Sequence, residues 1–402
     1  KTAEDVVAVF EDFNGDGHLD LYVGSGGNAY GPREVFNFDR IYLNDGKGNL
    51  LFSMNSLPPL GENTSTVAVH DVNGDGFPDI FVGASVVIGN YGASSGSHLL
   101  MNDGKGRFRD VTHQYFGEDL RPGMVQKAIW EDITGNGHKE LLLTGEWMGV
   151  QVYTLNASGQ FERLQDLAPA GWYYAMHVVS GGKMEDRQLV LGNLGLNSKL
   201  KASLEKPLWL YHGDFDGNGQ EDPLLFHYMG DKLVPFGSRD DLIKQIPGIK
   251  RKHDTYKSYA GLKSPQELLE KSQLEAARKV AVKELRSGSI SFDNSAQVLL
   301  PFPVEAQFSP LRDFVDFTSG GSQYLLGVGN FYGFRNDLGK AGAYPMVLLK
   351  RQNKEWVHIP LGLNASAYWG EFRKVAKIEI KGKLHLIALK NNGPAVVMEI
   401  ID

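Results

Sequence analysis

Four times between residues 12 and 222 an apolar, strand-like run is broken by nine residues dense in carboxylates, amides and glycines. They are DFNGDGHLD (12–20), DVNGDGFPD (71–79), DITGNGHKE (132–140) and DFDGNGQED (214–222). Runs such as VVAVF before a loop and LYVG after it are β-branched and aromatic, so each loop joins two strands. Oxygen-bearing side chains fall at loop positions 1, 3, 5 and 9. Several carboxylates repel one another unless a cation neutralises them, and alternating hard oxygens suit Ca2+. This repetition constrains the fold more than any other feature of the chain.

The spacing of the copies adds a second constraint. Asp12, Asp71 and Asp132 are separated by 59 and 61 positions. Between the first copies lie RIYLNDGKGNLLFSM (40–54) and HLLMNDGKGRFRDV (98–111), each two short strands around an Asp-Gly turn, with VQVYTLNASGQFERL (150–164) a looser third. Strand, acidic loop, strand, long loop, strand, tight turn, strand is a four-stranded antiparallel unit. Repeated at this period it reads as the blade of a β-propeller. The segments 177–193, 313–330 and 374–392 keep the strand-turn-strand pattern without the acids, as blades lacking metal. The expected fold is therefore all-β, a single seven-bladed β-propeller over residues 1–402, with six or eight blades as alternatives.

One stretch departs from the pattern. Residues 229–288 read as a small helical insertion, with SRDDLIKQI at 238 and a longer helix in SPQELLEKSQLEAARKVAVKEL, where Ser264 is the N-cap, Pro265 the first helical residue and Glu267 the closing acid of a capping box. If 289–302 then resumes as a last hairpin, the insertion sits within the blade that begins near Leu208.

Composition excludes several classes. A formal charge of −7 argues against a nucleic-acid partner. The absence of cysteine rules out disulfides, a thiolate nucleophile and cysteine-held metals. No run of about 18 apolar residues marks a transmembrane segment. The chain opens on KTAEDVVAVFED, itself strand-like, so any export signal or anchor is expected to have been removed.

Within each loop, position 6 is glycine (Gly17, Gly76, Gly137, Gly219) and position 7 (His18, Phe77, His138, Gln220) is placed to offer its carbonyl. An EF-hand would need glutamate at position 12, where this chain has Val23, Val82, Leu143 and Leu225. The pattern D-x-[DN]-x-[DN]-G-x-x-[DE] resembles the FG-GAP or VCBS repeat of the integrin α-chain propeller, and the whole chain resembles bacterial secreted relatives of the cartilage acidic protein family. That resemblance implies Ca2+ at Asp12, Asn14, Asp16 and Asp20, at Asp71, Asn73, Asp75 and Asp79, and at Asp214, Asp216, Asn218 and Asp222. A fourth ion at Asp132, Thr134, Asn136 and Glu140 is weaker, because Thr134 and Asn136 supply no charge. The competing reading is that these residues only build ion-free Asx turns. If ions bind, they are expected to act as structural staples.

Catalytic strings are poor. GASSG (92–96) has a strand after Ser94 where a nucleophile elbow needs a helix, and GSGGNA (24–29) opens no helix. Sequons stand at Asn63, Asn156 and Asn364. In a four-stranded blade the first and third connections share one rim, and the second connection and the crossover share the other. The second rim gathers aromatic residues among glycines and amides, with Tyr30, Tyr91, Trp147, Trp172, Tyr332 and Trp369 as candidate ligand contacts. Two functions follow. The first is an extracellular, cell-surface or periplasmic calcium-stabilised scaffold that binds a protein or glycan. The alternative is a propeller lyase or glycosidase acting on polysaccharide, which would need two converging carboxylates.

Overall fold

Each acidic loop turns the chain back between antiparallel strands, and strand register shows how. In the computed structural model, which describes residues 3–181, 183, 186–292, 298–334, 338–362 and 368–400, Asp5–Glu11 (β1) pairs with Asp20–Ser25 (β2), starting with Glu11 opposite Asp20. Arg40–Asn44 (β3) and Leu50–Phe52 (β4) complete a sheet in the order β1-β2-β3-β4. The next copy repeats it. Thr64–His70 (β5) and Asp79–Ala84 (β6) flank the second acidic loop. A short hairpin of Val86–Val87 (β7) and Asn90–Ser94 (β8) intervenes before His98–Asn102 (β9) and Phe108–Asp110 (β10), giving the order β5-β6-β9-β10. Thr112–Phe116 (α1) follows.

Met124–Glu131 (β11) and Glu140–Met148 (β12) lie either side of the third acidic loop. Gln151–Leu155 (β13) pairs with Phe161–Arg163 (β14), and Gly171–Trp172 (β15) pairs with β12 across a bulge between Glu146 and Met148. Ala175–Val179 (β16) then pairs with Gln188–Gly192 (β17).

The chain now leaves that sheet. Leu208–Gly213 (β18), Asp222–Met229 (β19) and Lys232–Pro235 (β20) form a meander around the fourth acidic loop. Five short helices follow: Arg239–Gln245 (α2), Ile249–Lys252 (α3), Tyr256–Ala260 (α4), Pro265–Leu268 (α5) and Lys271–Ala276 (α6). Arg278–Val282 (β21) returns to the far side of β18, so the order is β20-β19-β18-β21. Only then do Gly288–Ser291 (β22) and Leu300–Pro301 (β23) complete the earlier sheet, in the order β16-β17-β22-β23. Leu311–Ser319 (β24), Ser322–Gly329 (β25), Met346–Gln352 (β26) and Glu355–Ile359 (β27) make a further meander. Phe372–Ile380 (β28), Lys383–Lys390 (β29) and Val396–Glu399 (β30) make a three-stranded one.

The all-β expectation holds, but two details of the insertion are corrected. Residues 289–302 do not close the sheet begun at Leu208: β22 pairs with β17, placing buried Ile290 against buried Leu189. The β18–β21 sheet and its helices are thus one excursion between the second and third strands of the β16–β17 sheet. The long helix over 264–285 is also broken. Leu269 and Ala277 take extended backbone angles, and RKVAV becomes a strand because pairing with β18 buries Val282 completely. The helix at 238 forms as expected, with the Ser238 side chain accepting from the Asp241 N–H.

The chain divides into two compact units, Lys1–Trp130 with Tyr153–Arg163 and Lys201–Glu284, and Glu131–Val152 with Leu164–Leu200 and Leu285–Asp402. In the first unit Phe13, Tyr22 and Ile41 pack against Val67, Ile80 and Leu100, so consecutive sheets bury their faces on each other, while α2–α6 pack Leu242, Ile249 and Leu274 on Phe226. In the second unit Val190 of β17 shares a core with Phe314 and Leu349, and Val328 shares one with Phe372 and Leu386. Among the described residues no helix is long and apolar enough to cross a membrane.

Candidate functional site

The acidic loops share one internal wiring. The first aspartate accepts backbone N–H groups from positions 4, 5 and 6. For Asp12 these are Gly15 (2.8 Å), Asp16 (3.1 Å) and Gly17 (2.7 Å), and Asp71, Asp132 and Asp214 repeat the set. Position 5 accepts from the N–H of position 7: Asp16 from His18, Asp75 from Phe77, Asn136 from His138 and Asn218 from Gln220. These contacts impose a tight coil that turns positions 1, 3 and 5 toward one another.

The ninth position does something different. Asp20 and Asp79 are fully buried, and each joins two segments. Asp20 accepts from the N–H of Phe13 and of Asn44, and Asp79 from Val72 and Asn102. Burial pushes the Asp79 carboxyl up to about 6 against those hydrogen bonds, with the charges of Asp75 and Asp71 adding to the rise, and Asp20 shifts the same way. Glu140 accepts from Ile133 N–H and the Thr134 hydroxyl.

A divalent ion fits this donor set. Oxygens of Asp214, Asp216 and Asp222 lie within 4.8 Å of one another. Backbone N–H groups, that of Gly219 first, hold Asp214 below the usual carboxylate range, while burial raises Asp222. The Asp132 loop fits less well, because the Thr134 hydroxyl is spent on Glu140 at 3.3 Å.

In the second unit, a different chemistry collects at the strand ends away from the tight turns. β16, β24 and β28 begin there and β17, β25 and β29 end there, as the pairs Ala175–Gly192, Leu311–Gly329 and Phe372–Lys390 show. β12 likewise starts at the acidic loop with Glu140 and carries Trp147 near its far end. The bulge in β12 holds Trp147 at a φ of +61°, a left-handed setting rare for a bulky residue, and places its ring edge-on to Trp172 at 5.4 Å. Trp172 is anchored by its N–H on the Asn193 side chain, yet among the described residues its buried indole Nε1 has no hydrogen-bonding partner. Its ring lies over Phe334, which meets Phe331 edge-on at 4.5 Å.

Charge is threaded through these rings. The Arg312 guanidinium sits 4.5 Å from the Tyr174 ring centre and 5.1 Å from that of Phe331, and Arg373 lies 5.4 Å from the same Phe331 ring. Buried Glu371 pairs with Arg373 at 2.5 Å and accepts from the Tyr332 N–H. Burial and the charge of Arg373 lower Arg312 to about 10, while Tyr174, Glu146 and Glu371 act in the other direction.

Comparison with known proteins follows from the loops. Residues 12–82 match the FG-GAP-like repeat family. The matched FG-GAP-like segment contains the first two acidic loops and the hairpin between them. No curated protein matches the chain in sequence. Among solved structures, an ancestral GH74 enzyme is similar at 11% identity and TM-score 0.37, over 99% of this chain and 48% of that one, so this chain spans about half its length. A RAG complex with one melted and one unmelted RSS is similar at 9% identity and TM-score 0.35, over 100% and 97%.

Of the six aromatic contacts expected from sequence, the structure brings Trp147 and Trp172 together and sets the Tyr332 backbone on Glu371 beside them. Trp369 is 53% exposed. Tyr30 and Tyr91 lie in the other unit, Tyr30 stacked on Phe36 and Tyr91 on β8. The sequence reading missed Tyr174, Arg312, Phe334, Glu371 and Arg373. The signal was their shared position next to the start of a first strand or just past the end of a second. Of the sequons, Asn63 is buried and accepts from the Gly27 N–H, and Asn364 lies outside the described residues.

Proposed function

We propose that this chain is a calcium-stabilised β-propeller scaffold of an extracellular, cell-surface or periplasmic protein. In this reading its sheets close into a seven-bladed ring, and it binds a protein or glycan through the aromatic ends of its strands. The observation that carries the proposal is the Trp147–Trp172–Phe334–Phe331 cluster, threaded by arginines and set at the strand ends away from the tight turns. Trp147 and Trp172 are buried and hold the cluster in place, while half-buried Phe331 and Phe334 offer contact area at small entropic cost on the end of a rigid scaffold. The acidic loops support the other half of the reading. Three full oxygen sets suit Ca2+, with a fourth, weaker site at Asp132, and millimolar external Ca2+ would fill even modest sites.

The residues at positions 1, 3, 5 and 9 would hold the ion, whose role there is to neutralise the carboxylates and stiffen the loop. The chain's own contribution is the N–H coil that aims those oxygens. A screen of glycans and protein partners, run with Ca2+ and with chelator, tests this: ligand capture lost in Trp172→Ala supports the reading, and no capture in either buffer contradicts it. The enzyme alternative rests on Glu146 and Glu371, which both act on Arg312. Polysaccharide turnover abolished by Glu371→Gln would favour it.

A further inference from the structure

We propose that the aromatic cluster of the second unit is a site for a carboxylate-bearing sugar, with Arg312 gripping the uronate carboxylate and Trp172 donating to the ring. The inference rests on the binding reading above and names its ligand class.

Arg312 feels the charges of Glu146 and Glu371 but touches neither among the described residues. Among the described residues the Arg312 guanidinium has no hydrogen-bonding or ion-pairing partner, although it stacks between Tyr174 and Phe331. Stacking occupies the faces of a guanidinium and leaves its in-plane N–H groups available for hydrogen bonds, the groups that a bidentate carboxylate uses. Arg373 stands over the same Phe331 ring and pairs directly with Glu371, whereas Arg312 has no carboxylate in direct contact among the described residues and keeps its hydrogen-bonding capacity for a ligand.

A second observation points the same way. Trp172 is 5% exposed and, among the described residues, its indole Nε1 is buried without a partner, an arrangement that costs stability unless something accepts from it. It is linked to the arginine through rings: Trp172 on Phe334, Phe334 on Phe331, Phe331 on Arg312. One planar platform, one buried donor and one uncommitted guanidinium match the apolar face, hydroxyls and carboxylate of a uronic acid. An acidic peptide would satisfy the guanidinium but leave the platform and the indole unused.

The test is calorimetric titration of the full chain in Ca2+ with oligogalacturonate, the matching neutral oligogalactan and a glutamate-rich peptide. The expected result is binding of oligogalacturonate at least tenfold tighter than of the other two, weakened by salt. Arg312→Gln should remove that preference, and Trp172→Phe, which keeps an aromatic ring but lacks the N–H, should weaken uronate binding several-fold. Should Arg312→Gln fail to fold, the indole N–H resonance absent from Trp172→Phe and shifted by oligogalacturonate in the parent chain supplies the same evidence. Equal affinity for the neutral sugar, preference for the peptide, or an unmoved indole resonance overturns the uronate assignment while leaving a binding face. No binding by any saccharide, peptide or protein partner overturns both readings.

Discussion

At the residue scale, single side chains decide whether the acidic loops stay coiled. Asp79 gives one oxygen to Val72 N–H and one to Asn102 N–H, so Asp79→Asn turns one acceptor into a donor facing a donor. It should cost about 2–3 kcal/mol in denaturant unfolding; a loss below about 0.5 kcal/mol would show that the bridge is dispensable. The Asp-Gly turns give a paired test. In 45–48, Gly46 and Gly48 both take positive φ, but a Cβ on Gly46 would meet the His18 ring at 2.7 Å, while one on Gly48 meets nothing within 4 Å. Gly48→Ala should cost about 1 kcal/mol from backbone strain alone, and Gly46→Ala about the same, because the exposed His18 ring it meets can turn aside; a Gly46→Ala loss several times larger would show that the ring is held. Asp39 is a pH-sensitive group. Burial raises it to about 6 despite hydrogen bonds from Tyr22, Ser25 and Thr64. Because its folded value exceeds the usual ~4 of an unfolded aspartate, the folded state holds the proton more tightly. Its contribution is present below pH ~4 and is lost as pH rises to about 6. Asp39→Asn should flatten that part of the stability-versus-pH curve, and an unchanged slope would place its origin elsewhere.

At the scale of elements, much of the architecture was legible because short-range patterns fix it. Alternating apolar runs around Gly-rich acidic loops specify antiparallel pairs such as Glu11 opposite Asp20 and His70 opposite Asp79. The Asp-Gly hairpins specify the third and fourth strands. What was not legible depends on long-range pairing. KVAV has helical neighbours but ends as β21, because β18 offers an open edge across which Val282 can be buried. Nothing local to 289–302 says that its partner is β17, about 100 positions earlier. Asp132 shows the reverse: its Thr134 departs from the acidic pattern, and the structure ties that hydroxyl to Glu140. The site divides the same way. Trp147 and Trp172 were visible as aromatic residues in glycine-rich connections, whereas Arg312 and Arg373 lie on strands, where alternation reads them as ordinary exposed positions.

At the scale of the whole molecule, the proposed ions would make the stability of the fold depend on charge. Sheets bury their faces on one another in each unit, yet three loops each bring at least three carboxylates into nine residues, and on the proposed reading a bound cation supplies the counter-charge that keeps each closed. Ion binding to the folded chain alone would stabilise it by about 2.7 kcal/mol per site at a free concentration one hundred times Kd. Thermal unfolding in Ca2+ against excess chelator is therefore the most direct measurement. A midpoint about 5 °C or more lower in chelator, restored by Ca2+ and blunted in Asp214→Ala, is the predicted result. Identical midpoints in the two buffers would mean that the loops hold their coil as ion-free turns, and would contradict the account.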